Sequence, residues 1–429
     1  MASISLARSG EAAFAPVPNA VRAGDYVFTS SIYPIDESGH AVGVDERLGE
    51  AGPSLIAAQT RACLETIAKV LGEQRSSLER VLKASVHLVD AADFYEFKLV
   101  WREYFPESPP ARTTVEVGDT LPFRGARLSI DATALTGDST LSRETLRDPE
   151  GTDPLEAEWA PHAIRAGNFV FCSALTASDF ETGITVGKVA GFPNYGSDAT
   201  AQAEFVFERL NRVLGTAGTS LENALESYLY EPDLGTFNDI DTVWRSYMQL
   251  PPCRSSMGMR GLIVPGARFV ADLTVLVPDD RHVKQELREG TDFHPSARKV
   301  NFTPTLKAGQ WLFLAGRTAA NATTAQPWTR YIAAAPAGLP HHFSEIEGQT
   351  AHVLDKLTRQ IEANGSGWDH CHHVRVWLIE PHRDYRGFMR VWREYFPDPA
   401  KAPALAYVPS TAIMYPGPLI EIDPTCVVK

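Results

Sequence analysis

The spacing of apolar residues changes several times in the first third of the chain, and each spacing is typical of one kind of element. Short apolar runs at 26–29 and 81–89 indicate strands. Apolar residues at helical spacing between 56 and 71, and aromatic residues between 94 and 105, indicate two amphipathic helices. Strict alternation over 127–132 indicates a half-buried strand. The pattern therefore predicts strands, a helix, a strand, a second helix and a final strand.

The same landmarks occur three times along the chain. The sequence Val-Trp-Arg-Glu-Tyr-Phe-Pro at 100–106 recurs unchanged at 391–397, and a looser copy stands at 243–248. The copies begin 143 and 148 residues apart, which is the length of a domain and not of a solenoid unit. A glutamine also opens the first helical stretch of each copy: Gln59, Gln202 and Gln349.

The repeats predict three domains, a number that fits 429 residues. We place them at 1–138, 154–278 and 295–429, with the third copy the most degenerate. Charged stretches at about 137–153 and 279–296 are typical of linkers.

Each copy has only two helices, and two helices can cover one face of a sheet. The other face must be solvated or pack against a partner. We therefore predict an α+β fold in which three sheets pack around a pseudo-threefold axis, as in a trimer made from one chain. A chain that satisfies its interfaces internally is expected to be a monomer near 47 kDa.

Composition limits the kinds of partner that we expect the protein to bind. A formal charge of −13 without a basic stripe disfavours nucleic acid, since phosphates attract Lys and Arg. No apolar run approaches the roughly 20 residues of a membrane helix, and the N-terminus does not resemble a secretory signal. Five scattered cysteines fit reduced thiols better than a disulfide framework, which favours a cytoplasmic protein.

Several stretches of the first repeat resemble the signature of the RidA family, the reactive intermediate deaminases of YjgF type. They are 29–31, 104–106, 110–117 (Pro-Ala-Arg-Thr-Thr-Val-Glu-Val) and 121–131, and weaker counterparts stand in the other two repeats. The resemblance implies chorismate-mutase-like α+β subunits that form trimers with ligand clefts between subunits. It also implies hydrolysis of reactive enamines and imines to keto acids and ammonia, without metal or organic cofactor.

The resemblance implies a carboxylate-binding arginine after Pro-Ala or its counterpart. That residue is Arg112 in the first repeat and Arg254 in the second, and a guanidinium suits a carboxylate because it offers two parallel donors. The third repeat has Leu405 instead. Thr114 and Ser256 take the place of a family cysteine two residues later, and we count both as candidate substrate-binding residues.

Three further positions are candidates for catalysis. Lys98 and Asp241 take the place of a family asparagine on the second helix, where either side chain would act as acid or base if its pKa were shifted. Glu421 retains a family glutamate that activates water, whereas Ser129 and Val270 replace it in the other repeats. A cleft between domains would combine Glu421 with Arg112 or with Arg254.

Serines early in the first two repeats, Ser30, Ser31 and Ser173, are candidates to bind an oxyanion through hydroxyl or backbone N–H groups. The cluster His370, His372 and His373 resembles a metal site, but alternate residues of a strand point to opposite faces. We therefore predict no metal.

The sequence favours a cofactor-independent enzyme that acts on a small carboxylate-bearing molecule in a cleft between domains. The expected reaction is imine or enamine hydrolysis, or a related lyase or cyclase step in a biosynthetic pathway. Two alternatives remain: a chorismatase-like hydrolase, and a non-catalytic protein that binds small molecules or acts as a scaffold.

Overall fold

A computed structural model describes residues 17–43, 54–151, 160–179, 183–187, 191–192, 195–291, 301–320, 344–414 and 417–429. Within these residues the chain forms three α+β domains with the predicted order of elements. Of the described helices, none is both long and apolar enough to cross a membrane.

Domain 1 has two helices, α1 (Leu55–Glu73) and α2 (Phe94–Tyr104). Its strands are β1 (Ala20–Ala23), β2 (Tyr26–Thr29), β3 (Val81–Leu88), β4 (Ala111–Glu116) and β5 (Leu128–Leu135). The sheet order is β1-β2-β5-β3-β4, and β3 and β4 are the parallel pair.

Domain 2 repeats this arrangement with α3 (Asp198–Thr216) and α4 (Phe237–Tyr247). Its strands are β6 (Arg143–Leu146), β7 (Ala163–Ala166), β8 (Phe169–Cys172), β9 (Ser178–Asp179), β10 (Gly183–Ile184), β11 (Ala224–Glu231), β12 (Cys253–Gly258), β13 (Gly261–Leu262) and β14 (Val270–Leu276). The main sheet runs β6-β7-β8-β14-β11-β12, while β9 and β10 form a separate hairpin.

Domain 3 has α5 (Glu345–Ala363) and α6 (Pro381–Tyr395). Its strands are β15 (Gln285–Leu287), β16 (Thr305–Ala308), β17 (Trp311–Leu314), β18 (Arg317–Thr318), β19 (Cys371–Leu378), β20 (Ala404–Pro409), β21 (Ala412–Ile413) and β22 (Ile420–Val427). The sheet order is β15-β16-β17-β22-β19-β20, and β18 pairs with β22.

The two charged stretches predicted as linkers each contain a strand. The first, β6, pairs with β7, and the second, β15, pairs with β16. Each connection therefore adds an edge strand to the sheet of the domain that follows it. The domain bounds given by the sequence remain a prediction.

The helices of each domain cover one face of its own sheet and enclose a core there. Trp101, Trp244 and Trp392 are fully buried in these three cores, as their helical spacing predicts.

The repeated glutamines also have one shared role, which Gln59 illustrates. Its amide donates to the Val42 and Gly125 carbonyls, and its Oε1 accepts from the Arg127 N–H at 2.7 Å.

The domains contact one another in a closed ring. Strand β13 of domain 2 pairs with β4 of domain 1, and β21 of domain 3 pairs with β12 of domain 2. The third joint is made by the Ser31 N–H of domain 1, which donates to the Leu405 carbonyl on β20 of domain 3 at 3.0 Å. An apolar cluster shared by all three domains lies at the centre, where the sheet faces not covered by helices meet.

The cysteines depart from the expectation of reduced thiols. Cys371 and Cys426 form a disulfide, because they are direct partners in the pairing of β19 with β22. Cys63, Cys172 and Cys253 are free and buried.

Candidate functional site

Three equivalent interfaces lie where β4, β12 or β20 of one domain meets the neighbouring domain. At the interface of domains 1 and 2, the Arg112 N–H donates to Ser173 Oγ at 3.0 Å, and the Ala174 N–H donates to the Arg112 carbonyl at 3.1 Å. At the interface of domains 3 and 1, the Leu405 N–H donates to Ser30 Oγ at 2.8 Å. These two interfaces therefore share a hydrogen bond from the backbone N–H of the arginine position to a serine of the neighbouring domain.

The candidate serines hold these interfaces together. Ser173 Oγ donates to the Pro161 carbonyl, and Ser30 Oγ donates to the Pro18 carbonyl at 2.6 Å. Ser31 Oγ accepts from the Tyr407 N–H at 2.9 Å. These contacts occupy the hydroxyls, and a substrate-binding role for the serines remains a prediction.

The two candidate arginines are buried in different surroundings. The Arg112 guanidinium lies 5.3 Å from the ring centroids of both Phe94 and Trp101, and burial lowers its pKa to about 10. Arg254 lies 4.8 Å from the Phe237 ring, and its Nη1 donates to Asp241 Oδ1 at 2.7 Å. Burial lowers the pKa of Arg254, and the charge of Asp241 opposes that shift.

Asp241 and Lys98 occupy matching helix positions but differ in environment. Asp241 is 2% exposed and lies between two guanidinium groups, with Arg254 and Arg245 each 2.7 Å away. Lys98 is partly buried, and its ammonium lies 5.1 Å from the centroid of the exposed Tyr95 ring. Asp241 therefore orients the candidate carboxylate anchor. Catalysis by either residue remains a prediction.

Glu421 lies at the interface of domains 2 and 3, next to the strand that carries Arg254. Burial raises its pKa to about 8, while a hydrogen bond from Ser255 and the charge of Arg317 oppose the rise. A side chain at Gly316 would collide with both Glu421 and the Ser255 hydroxyl, so glycine leaves room for their contact. Among the alternatives left by the sequence, the structure thus brings Glu421 together with the Arg254 strand.

The position two residues after each arginine site has one feature in common. Thr114 Oγ1, Ser256 Oγ and the Tyr407 hydroxyl are buried, and none has a hydrogen-bond partner among the described residues. Buried hydroxyls normally find partners, so unpaired ones at three equivalent positions indicate a place where a ligand or water bonds.

Sequence reasoning missed one residue of this region, Glu231. It ends β11 on the face that bears Arg254, and it is 0% exposed. Burial raises its pKa to about 8, and the charge of Arg254 opposes that rise. Neither carboxylate oxygen has a hydrogen-bond partner in the described part of the chain, since the nearby Thr236 hydroxyl donates to the Asp233 carbonyl. A comparison of the three repeats could have identified Glu231, because the equivalent strands of the other two domains end in leucine, at Leu88 and Leu378.

The interface of domains 3 and 1 is filled by aromatic side chains. Leu405 stands in the arginine position, and the Tyr385 and Tyr407 rings pack with centroids 5.2 Å apart. Tyr33 of domain 1 packs against the core of domain 3 and contacts the Phe123 ring at 4.8 Å. This interface offers no guanidinium for a carboxylate at the matching position.

The three interfaces therefore differ in the residues that occupy the arginine position of one domain and the glutamate position of the next. Domains 1 and 2 combine Arg112 with Val270, domains 3 and 1 combine Leu405 with Ser129, and domains 2 and 3 combine Arg254 with Glu421. The strand registers support these equivalences, since Ser129, Val270 and Glu421 pair with the matching positions His87, Tyr230 and Trp377.

The histidine cluster of domain 3 contains the disulfide cysteine. His372 is buried against the Phe28 ring, and burial lowers its pKa to about 3. His373 faces the centre of the molecule, whereas His370 lies beside Asp369 near the surface. Within the described ranges, no three His, Cys, Asp or Glu side chains are grouped to hold a metal ion.

A protein-family model described as Endoribonuclease L-PSP matches the chain three times, over residues 10–136, 152–275 and 294–428. The chain belongs to this family. The three tandem matches confirm the RidA/YjgF resemblance and the α+β fold of three RidA-like domains.

Similar proteins within the family carry deaminase names. The 3-aminoacrylate deaminase RutC of Acinetobacter baylyi is 41% identical over 104 residues, which are 24% of this chain and 75% of RutC. The 2-iminobutanoate/2-iminopropanoate deaminase of Bos taurus is 33% identical over 99 residues, which are 23% of this chain and 71% of that protein.

Similar solved structures each match about one third of this chain. A putative endoribonuclease from Thermotoga maritima is 28% identical, with 30% of this chain and 95% of that chain covered and a TM-score of 0.25. TdcF of E. coli with bound serine is 25% identical, with coverage of 30% and 96% and a TM-score of 0.25.

Proposed function

We propose that this protein hydrolyses small 2-imino or enamine carboxylates to keto acids and ammonia, at the interface of domains 2 and 3. One observation carries the proposal: this interface alone combines an arginine in the anchor position, Arg254, with a glutamate in the water-activating position, Glu421. The deaminase names of the single-domain relatives support the reaction class.

Arg254 anchors the substrate carboxylate. Its guanidinium is buried, so a charge-assisted bond there is stronger than in water. Asp241 fixes the guanidinium through one Nη and is itself shared with Arg245. Arg254, Arg245 and Asp241 therefore carry a net charge of plus one among them before the substrate binds. The Ser256 hydroxyl, two residues along the same strand face, is placed to bond the ligand.

Glu421 activates water. Its ionised carboxylate accepts a proton from a water molecule while the oxygen attacks the imine carbon, and the C=N electron pair moves to nitrogen. The nitrogen takes up the proton held by Glu421, which gives the neutral carbinolamine. Glu421 then accepts the hydroxyl proton as the C=O bond of the keto acid forms, and it passes this proton to the nitrogen, so that the C–N bond breaks and ammonia leaves. Glu231, buried beside Arg254, is placed to hydrogen-bond the nitrogen.

Ammonia release from 2-iminobutanoate, formed in the assay by an amino acid oxidase, tests the proposal. We expect the protein to accelerate release and Arg254→Ala to lower kcat/KM by about 100-fold or more, since the substrate loses a buried charged partner. Arg112→Ala makes the same change in the other arginine-bearing interface and is expected to keep kcat/KM within about threefold. Equal losses in both variants would contradict the choice of interface, and no acceleration by the wild-type chain would contradict the reaction.

The chorismatase-like and non-catalytic alternatives remain open to the same assay. A protein that only binds would be stabilised by 2-oxobutyrate without releasing ammonia. An RNA substrate is disfavoured by the net charge of −13. The cytoplasmic location and monomeric state remain predictions.

A further inference from the structure

A cavity of about 60 Å³ lies where the three sheets meet, away from the arginine clefts. Since a water-sized group needs about 15 Å³, the cavity has room for about four such groups. Its walls come from matching strand positions of all three domains. One set of matching residues is Lys83, Glu226 and His373, and the next is Ser85, Tyr228 and Arg375.

Aromatic rings form one part of the wall. Tyr26, Phe169 and Trp311 are the first residues of β2, β8 and β17, and their ring centroids lie 5.4 to 5.7 Å apart around the axis. Phe28, Phe171 and Phe313 follow two residues later and also line the cavity. Ring faces carry partial negative charge and attract cations.

We call the cavity-lining residues, together with Asp423 at the strand position equivalent to Asp131 and Asp272, the axial layer. The two cations of this layer, Lys83 and Arg375, already have partners. Lys83 Nζ contacts Asp272 Oδ1 at 3.0 Å and donates to Thr113 Oγ1 at 2.8 Å and to the Cys172 carbonyl. Its three N–H groups are therefore used within the protein. Arg375 donates to Asp131 Oδ1 and to the Tyr230 hydroxyl, each at 3.0 Å, while its Nε has no hydrogen-bond partner among the described residues.

Two carboxyl groups of the layer lack such a partner. Glu226 and Asp423 form no ion pair within the part of the chain that the structure describes. Their hydrogen-bond partners there are neutral: Thr425 at 3.2 Å for Glu226, and Tyr228 at 3.3 Å and Ser255 at 3.1 Å for Asp423. Asp423 shares the Tyr228 hydroxyl with Glu226 and the Ser255 hydroxyl with Glu421.

One cavity-lining carboxylate also has an unused oxygen. Asp131 is 4% exposed, and its Oδ2 has no hydrogen-bond partner among the described residues. Three carboxyl groups, Asp131, Glu226 and Asp272, thus line the cavity against two cations. Asp423 is a fourth carboxyl group of the layer, and it contacts the cavity wall through Tyr228. Buried charge without a partner is costly, so this excess favours a positively charged occupant.

We propose that the axial cavity binds one small organic cation of the ammonium or amidinium class. Carboxylate oxygens would accept its N–H groups, and the aromatic wall would contact its apolar part. A metal ion fits less well, because no three potential ligands are grouped around one point in the described ranges. In a trimer of identical subunits, the same residue would occupy all three matching strand positions around the axis. The fused chain instead has three different residues, Lys83, Glu226 and His373, at one such set of positions.

Protons compete for the same carboxyl groups. Burial raises the pKa of Glu226 and of Asp423, and the charge of Glu226 raises the pKa of Asp423 further. The charge of Arg375 opposes the rise at both groups. The other charged or titratable groups of the layer are Tyr26 on β2, Lys83 on β3, Asp131 on β5, Tyr228 on β11, Asp272 on β14, and His373 and Arg375 on β19. The charge of Glu421 on β22 also raises the pKa of Asp423. A carboxyl group with a raised pKa stays protonated to higher pH, so cation binding is expected to strengthen as pH rises from 6 to 8.5.

Thermal unfolding of the full chain tests this site. We expect methylammonium or guanidinium chloride at low millimolar concentration to raise Tm saturably, by about 3 °C or more at pH 8.5 and by less at pH 6. Sodium, potassium and tetramethylammonium chloride at equal concentration control for ionic strength, alkali binding and cations without N–H groups. A guanidinium effect is read only at low concentration because the ion denatures at high concentration.

Two variants test whether the Tm shift arises from binding in the axial cavity. Glu226→Gln is expected to abolish the saturable shift, whereas Glu37→Gln removes an exposed carboxylate and is expected to retain it. If Glu226→Gln does not fold, the wild-type comparison of cations decides. No saturable shift, an equal shift with potassium, or a shift that survives Glu226→Gln would overturn the proposal.

Discussion

At the scale of the residue, the copies keep their packing side chains and differ where chemistry is expected. The arginine positions, the serines and Glu421 were predictable from a short motif, because a motif fixes strand position. The partners of those residues were not predictable, because Asp241 reaches Arg254 from a helix and Ser255 reaches Glu421 from another domain. Such contacts depend on how the domains are assembled.

Glu421 gives the reaction a specific pH dependence. Burial raises its pKa to about 8, and a general base acts only when unprotonated. We expect kcat/KM to fall about tenfold per pH unit below pH 8 and to level off above it. Glu421→Gln should lower the plateau by about 100-fold or more and remove this ionisation from the profile. A profile that is flat from pH 6 to 9 in the wild-type protein would contradict the assignment.

Glu231 connects function with stability. A buried carboxyl group whose oxygens lack partners costs free energy of folding, about 1–3 kcal/mol, and the sister domains have leucine at this position. Glu231→Leu is therefore expected to raise the free energy of unfolding by about that amount while it lowers kcat/KM. Chemical denaturation and the ammonia assay measure both. A destabilised variant with full activity would show that Glu231 is a structural residue.

At the scale of the element, the apolar patterns identified the helices and central strands, and each aromatic helix packs on its sheet as expected. The short edge strands β6 and β15 were missed, because charged stretches at a domain boundary resemble linkers. The disulfide was missed for a related reason. Pairing of residues 371 and 426 depends on the register of β19 against β22, which cysteine counting does not reveal.

The disulfide closes a loop of 55 residues in domain 3. By the loop-entropy relation, Cys426→Ser is expected to lower the free energy of unfolding by about 4 kcal/mol under non-reducing conditions. Cys63→Ser, which changes a free buried thiol, is the control for the loss of a buried sulfur. Thiol titration of the unfolded, unreduced protein should find three reactive groups. Five would show that the pair is reduced.

At the scale of the whole molecule, three backbones of one plan enclose three unequal interfaces. A trimer of identical subunits has three equal clefts, since symmetry repeats every residue. Here one interface is filled by tyrosines, one lacks the glutamate, and one combines Arg254 with Glu421. The repeat was evident from the sequence, but the assignment of residues to interfaces required the order in which the domains close the ring.

The number of carboxylate sites per chain tests this asymmetry most directly. Isothermal titration with 2-oxobutyrate, the product of the proposed reaction on 2-iminobutanoate, measures it. We expect one site per chain in the wild-type protein, one in Arg112→Ala and none in Arg254→Ala. Two sites in the wild-type protein, or loss of binding in Arg112→Ala with binding kept in Arg254→Ala, would contradict a single working interface between domains 2 and 3.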